Sequence, residues 1–254
     1  MRASPSLVRV RRDDGVVTIV LDDPARRNAL SWDMVRALRQ AIDDAARSGC
    51  HALVLANAPP VFCAGGSVDD LLEPKAPLEE MYGAFEALDR APMPTVAAVD
   101  GAAIGAGLNL VLACDVAVCT PESRFDARFL DVGLHPGGGQ LWRLQRAVGP
   151  QAAAALTLFG EVLDGEGAAA RGLVWRCVAP DQLAGEAARL ARRATERDAE
   201  VVGAAKRSLK ASSSVRTPRE AIALELGPQR WSMARPAFEQ SLRGLRARLG
   251  RDER

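Results

Sequence analysis

Thr95-Val96-Ala97-Ala98-Val99-Asp100-Gly101-Ala102-Ala103-Ile104-Gly105-Ala106-Gly107-Leu108-Asn109 is the stretch that decides how this chain folds. Its first five residues read as a strand buried on both faces, the Gly/Ala run turns the chain, and a helix follows over about 105–114. Running from strand through small residues directly into a helix leaves unpaired N–H groups at the helix start, backed by the positive end of the helix dipole. Small side chains let a ligand oxygen approach them. Phe62-Cys63-Ala64-Gly65-Gly66-Ser67 has the same character after an apolar strand over 52–56. Two such donors on one oxygen would make an oxyanion hole, which stabilises charge on a carbonyl. The same pattern also fits two plain glycine-rich strand-to-helix turns.

Working outward, the segments at 7–11 and 16–21 form a hairpin around Asp13-Asp14-Gly15. Ser31 caps a helix from Trp32, in which Met34, Val35, Leu38 and Ile42 recur at helical spacing until Gly49. A further helix spans about 78–88 and stops at Pro92 and Pro94. Strands alternating with helices predict right-handed crossovers and a partly parallel sheet, hence an α/β core. After Gln151 the pattern becomes Ala-rich and helical, over 151–158, 166–171, 181–196, 200–211 and beyond Pro218, and strand signals nearly vanish. Residues 1–195 are therefore expected to form the core and 196–254 a C-terminal helical region.

Bulk properties narrow the function. The net charge is +1, from 33 Lys plus Arg against 32 Asp plus Glu. Such a balance supplies no field for nucleic acid or an anionic membrane, so local groups must meet any anionic ligand. The first 14 residues carry four Arg and no apolar core of a signal segment, and no apolar run approaches the roughly 18 residues of a membrane span. Five scattered cysteines without a CxxC, and only two histidines, argue against a disulfide framework or a metal site. A cytoplasmic protein without nucleic-acid or membrane partners is the expectation.

Several motifs, in order, resemble those of the enoyl-CoA hydratase/isomerase (crotonase) family. Asp23-Pro24-Ala25-Arg26-Arg27-Asn28-Ala29-Leu30 is similar to its R-P-x-x-x-N-A-L, and Phe62-Cys63-Ala64-Gly65-Gly66 to its F-x-A-G-A-D. Ala98-Val99-Asp100-Gly101 through Gly107 resembles A-V-x-G-x-x-x-G-G-G, and Ala113-Cys114-Asp115-Val116-Ala117-Val118 resembles A-x-C-D-I-x-x-A. Gly133-Leu134-His135-Pro136-Gly137-Gly138-Gly139, continuing to Arg143-Leu144, is similar to G-x-x-P-G-x-G-G-x-x-R-L. The resemblance spans roughly residues 10–215.

It implies a crotonase-like spiral of ββα units with a C-terminal helical region that packs into trimers, often paired as hexamers. It also implies an acyl-CoA or enoyl-CoA partner, a place in fatty acid metabolism, and no tightly bound cofactor, coenzyme A being part of the substrate. On this resemblance the backbone N–H groups of Ala64 and Ala106 form the oxyanion hole. Arg26, Arg27, Ala29 and Gly65 fall where coenzyme A is contacted, and Lys206 falls near a basic position of the C-terminal helices. Asp69 and Asp70 read as loop surface.

The family's hydratases use two glutamates to activate water and deliver a proton. Here those positions are Asn109 and Phe129. Asn109 can orient a water but cannot take its proton. Asp131 and His135 are the nearest substitutes. Asp131 has an ion pair with Arg128 or Arg143 as its structural reading, whereas His135 carries the imidazole suited to acid–base work near neutrality. Asp126 is a weaker candidate, and Cys63 reads as a buried filler. Phe129, Leu130, Leu134 and Trp142 would give the acyl pocket an apolar wall. Three readings stay open: a hydratase; an isomerase, thioesterase or decarboxylase using Asp131 or His135; and a non-catalytic acyl-CoA binder. In the last helices, Pro236 should break the helix that contains it.

Overall fold

The computed structural model describes residues 6–252. They divide into two compact units, one reaching to Thr195 and one starting at Glu196. In the first unit β1 (Val8–Asp13) and β2 (Val16–Leu21) pair as an antiparallel hairpin. The chain reverses at Asp14 (φ 44°) and Gly15 (φ 77°), a left-handed pair that a short polar side chain and a glycine tolerate. Helix α1 (Trp32–Arg47) starts where Ser31 predicts: its hydroxyl accepts the Met34 N–H at 3.1 Å. Its buried face is Met34, Val35, Leu38 and Ile42.

Next come β3 (Ala52–Asn57), the short α2 (Val68–Leu72), and α3 (Gly83–Arg90), which is entered through a 3-10 turn over Leu78–Tyr82. The decisive stretch contributes β4 (Thr95–Val99), a further strand β5 (Ala102–Ile104) within the small-residue turn, and α4 (Ala106–Ala113). Then follow β6 (Val116–Cys119), β7 (Arg124–Asp126), α5 (Gln140–Leu158), β8 (Val162–Asp164), α6 (Gly165–Ala170), β9 (Arg176–Cys177) and α7 (Leu183–Thr195).

Six strands form one sheet in the order β1-β2-β3-β4-β6-β9, parallel except for the β1–β2 hairpin. A second sheet has the order β5-β7-β8. On one side of the large sheet Phe62, Met34, Leu38, Leu21 and Leu55 are fully buried, each contributing about 1.5–3 kcal/mol of hydrophobic stabilisation. On the other, Leu183, Ala187 and Ala191 of α7 cover Ala52, Val54, Val96, Ala98 and Val118. This accounts for strands apolar on both faces. Alanine dominates the contact because close approach of a helix to a sheet leaves room for little else.

The second unit holds α8 (Ala199–Ser212), α9 (Pro218–Met233) and α10 (Pro236–Asp252). The break expected at Pro236 is present: α9 ends at Met233 and Pro236 opens the next helix, a position where its missing N–H costs nothing. The near-absence of strands after Gln151 is not what the structure contains, since β8 and β9 both lie there. Strands of three and two residues are too short to show a period. No helix of the described residues is long and apolar enough to cross a membrane.

Candidate active site

A cavity of about 100 Å³ opens where the two small-residue turns meet. Leu30, Gly66, Leu71, Leu78, Met81, Tyr82, Phe85, Ala106, Asn109, Phe129, Leu134, His135 and Gly137 line it. Nearly all of that wall is apolar, and no carboxylate stands in it.

The turn after β3 and strand β5 are bound edge to edge. The Cys63 N–H donates to the Ala102 carbonyl and the Ile104 N–H to the Cys63 carbonyl, each at 3.0 Å. Gly107 makes this approach possible, because a Cβ there would sit 2.5 Å from the Cys63 carbonyl oxygen. Cys63 is fully buried in that contact, and burial pushes its thiol up to about 12, which suits a filler and not a nucleophile.

Ala106 occupies the first position of α4, and its N–H has no hydrogen-bond partner among the described residues. Ala64 is different: its N–H donates to the Arg27 carbonyl at 3.0 Å, and Ala64 does not line the cavity. The expectation that Ala64 supplies a free donor is therefore corrected. Two residues on, Gly66 lines the cavity, and its N–H has no partner among the described residues. The Leu30 N–H bonds the Gly65 carbonyl and the Ser67 N–H bonds the Leu30 carbonyl, bracketing Gly66 and leaving its own N–H over. Gly65 itself is buried at φ 101°, a turn position and not a cavity wall.

Asn109 is fully buried, and its amide is spent on the loop that faces it. Its Nδ2 donates to the Gly138 carbonyl at 3.0 Å and the Gly137 carbonyl at 3.3 Å, while Oδ1 accepts from Arg143 at 3.0 Å. Arg143 also donates to the Gly138 carbonyl at 2.6 Å and pairs with Asp89. Gly138 (φ 61°) must be glycine, since a Cβ would lie 2.9 Å from both Asn109 Nδ2 and Tyr82 Cδ1. Asn109 is thus a latch for the 137–139 loop, with its donors already committed, instead of the water-orienting amide expected from sequence.

His135 stands at the exposed mouth of the cavity. Its Nδ1 lies 2.8 Å from the Pro136 carbonyl. A carbonyl only accepts, so this contact is a hydrogen bond in the tautomer that carries its proton on Nδ1 and leaves Nε2 as the acceptor. Asp131 is exposed and sits 3.7 Å from Arg128, outside the cavity wall. Asp126 is buried, pairs with Arg128 at 2.6 Å and is likewise outside the wall. Of the expected apolar wall, Phe129 and Leu134 are present; Leu130 is outside, and Trp142 is exposed with the Arg146 guanidinium 4.0 Å above its ring.

Arg26 and Arg27 are exposed on the early loop, Arg26 lying 3.4 Å from Asp23, and Ala29 is half-buried beside them. Asn28 ties that loop down, donating to the Ala58 and Val61 carbonyls at 2.9 and 2.8 Å. Lys206 lies buried in α8 of the second unit. Asp69 is exposed as expected, but Asp70 is buried: it accepts the Trp32 N–H at 2.9 Å and pairs with Lys75 at 3.3 Å, joining α2 to α1.

Sequence reading missed Gly66 and the wall made by Leu78, Met81, Tyr82 and Phe85. Those four recur at i, i+3, i+4 and i+7, so the stripe was legible as an apolar helix face. What the stripe would face was not. Among the described residues no group of His, Cys, Asp and Glu is arranged to hold a metal ion.

Comparison with known proteins bears on the family. The family model for enoyl-CoA hydratase/isomerase matches residues 11–245. A Mycobacterium tuberculosis protein named as a probable enoyl-CoA hydratase, EchA14, is 43% identical over 243 residues, covering 91% of this chain and 93% of that one. An Arabidopsis thaliana protein named as a probable mitochondrial enoyl-CoA hydratase 2 is 30% identical over 219 residues, with 81% and 72% covered. Among solved structures, an enoyl-CoA hydratase of Mycobacterium smegmatis superposes with a TM-score of 0.87 at 30% identity, covering 96% of each chain. From its ordered motifs, its fold and these matches, the chain belongs to the enoyl-CoA hydratase/isomerase family.

Proposed function

We propose that this protein binds an acyl-CoA thioester with its carbonyl oxygen between the N–H groups of Gly66 and Ala106, and stabilises the enolate formed when a proton leaves the α-carbon. The observation that carries the reading is the pairing of two unpartnered backbone N–H groups in the wall of one apolar cavity. Donors fixed by a hydrogen-bonded turn and a helix start need no rearrangement as charge grows on the oxygen, which is where their catalytic effect arises. Arg26 and Arg27 on the early loop are the candidate partners for the coenzyme A phosphates.

Hydration asks for one group to activate water and another to protonate carbon. No carboxylate lines the cavity, and the Asn109 amide is engaged elsewhere. His135, which can take a proton at Nε2 in the tautomer that bonds the Pro136 carbonyl, is the one side-chain base in the wall. A single base suits a proton shift between the α- and γ-carbons, which moves a double bond, better than it suits the addition of water. The activity favoured here is therefore double-bond isomerisation of an enoyl-CoA with His135 as the proton carrier. The full wall without a carboxylate also favours a second reading, an acyl-CoA binder without turnover.

Two assays separate these. 3-Enoyl-CoA substrates are followed for gain of conjugated double-bond absorbance, and crotonyl-CoA and longer 2-enoyl-CoAs for its loss, alongside calorimetric binding of acyl-CoA. Gain without loss is the expected result. Loss from 2-enoyl-CoA means hydration and overturns the single-base reading, binding without either change leaves the non-catalytic reading, and no binding rejects both.

A further inference from the structure

Cys119 and Cys177 stand directly opposite each other in register on the neighbouring parallel strands β6 and β9. Strand β9 is fixed there on both sides, by the Trp175 N–H on the Ala117 carbonyl at 2.8 Å and the Val178 N–H on the Cys119 carbonyl at 2.9 Å. Neighbouring strands lie about 4.8 Å apart and registered residues share a face, inside the roughly 4.4–6.8 Å Cα separation over which disulfides form.

The two sulfurs also lie close to a common neighbour. Both meet the start of α6 at Gly165: Cys119 Sγ is 3.6 Å from its carbonyl oxygen, and Cys177 Sγ is 3.0 Å from where a Cβ would stand. Glycine at 165 keeps a Cβ out of the space beside the Cys177 sulfur. Cys119 is fully buried and Cys177 only half-buried, so a small oxidant meets Cys177 first.

We propose that Cys119 and Cys177 are a modification site, a thiol pair that a hydroperoxide converts to an intrachain disulfide between β6 and β9. The Cys177 thiolate attacks one peroxide oxygen, the O–O bond breaks, and the departing hydroxide takes a proton to leave as water, giving a sulfenic acid at Cys177. Cys119 sulfur then displaces hydroxide from Cys177 sulfur, and its thiol proton leaves with that hydroxide as a second water. Two thiols lose two electrons in all, and hydrogen peroxide is reduced to two waters. Burial raises both thiols, so the reaction is slow compared with that of a dedicated peroxide-reacting cysteine. The new bond closes the chain from 119 to 177, which includes β7, the His135 loop and α5.

The test is to treat the full-length protein with hydrogen peroxide, block the remaining thiols under denaturing conditions, and map the peptides by mass spectrometry. The expected result is a cross-linked peptide joining Cys119 to Cys177, two hydrogens lighter than its parts and released by dithiothreitol, with Tm raised by roughly 5–10 °C in the oxidised form. Cys177→Ser should abolish the cross-link and Cys114→Ser should keep it. Cys119 and Cys177 recovered as free thiols or as separate sulfinic acids overturns the proposal, as does a cross-link from either to Cys50, Cys63 or Cys114. The wild-type map decides this even if the serine variant does not fold.

Discussion

The two sides of the cavity are built from different material. On one side, Gly66 and Ala106 present backbone N–H groups held by the β3 turn and the first turn of α4. On the other, the 129–139 segment presents side chains, Phe129, Leu134 and His135. A backbone donor survives nearly any substitution except proline, so this side depends little on which side chain stands at residue 106. The side-chain half has no such protection. There, a substitution at Phe129, Leu134 or His135 changes the chemistry that the wall presents. Polarising power and acid–base power are therefore separable in this fold, because one resides in chain geometry and the other in residue identity.

The largest effect should come from the side-chain half. His135→Ala is expected to lower isomerase turnover about 10²–10⁴-fold, the usual range for losing a general base, while acyl-CoA affinity changes only a few-fold; equal losses in kcat and affinity would make His135 a binding group. On the backbone half, Ala106→Pro removes one donor at a helix position that accepts proline. Its expected cost is about 10²–10³ in kcat, and wild-type turnover from this variant would break the comparison.

A smaller effect, on stability, should follow from Asn109→Ala. It strips a donor from the Gly137 and Gly138 carbonyls and an acceptor from Arg143, and a loss of about 2–4 kcal/mol is expected in urea unfolding. Less than 0.5 kcal/mol would mean the amide does not latch the loop. Asp131→Asn should do least: its exposed pair with Arg128 at 3.7 Å contributes under about 1 kcal/mol, and kcat should stay within about twofold. A large loss of turnover would return Asp131 to the site and dissolve the division between the two halves.

Sequence reading was strongest where one element announces itself. The β1–β2 hairpin, the Ser31 cap, the buried strand at 95–99 and the break at Pro236 each depend on residues adjacent in the chain. Reading was weaker at β5, β7, β8 and β9, whose short pairings are imposed by the strand beside them and not by their own pattern. In the site, Ala64 and Gly66 are two residues apart in one turn. Which of their N–H groups is spent depends on where the Arg27 carbonyl falls, and that is fixed by Asn28 anchoring a distant loop.

By itself the sequence determined the α/β architecture, the two small-residue turns and the helical C-terminal region. All of these are properties of local composition, period and motif order. Only the tertiary structure decided that Gly66 and not Ala64 has its N–H left over beside the cavity, that the Asn109 amide is committed to the 137–139 loop, and that His135 faces the cavity while Asp131 lies outside it. Each of those depends on hydrogen-bond partners brought from other parts of the chain, and a donor or acceptor is available to a substrate only when folding has not already given it a partner.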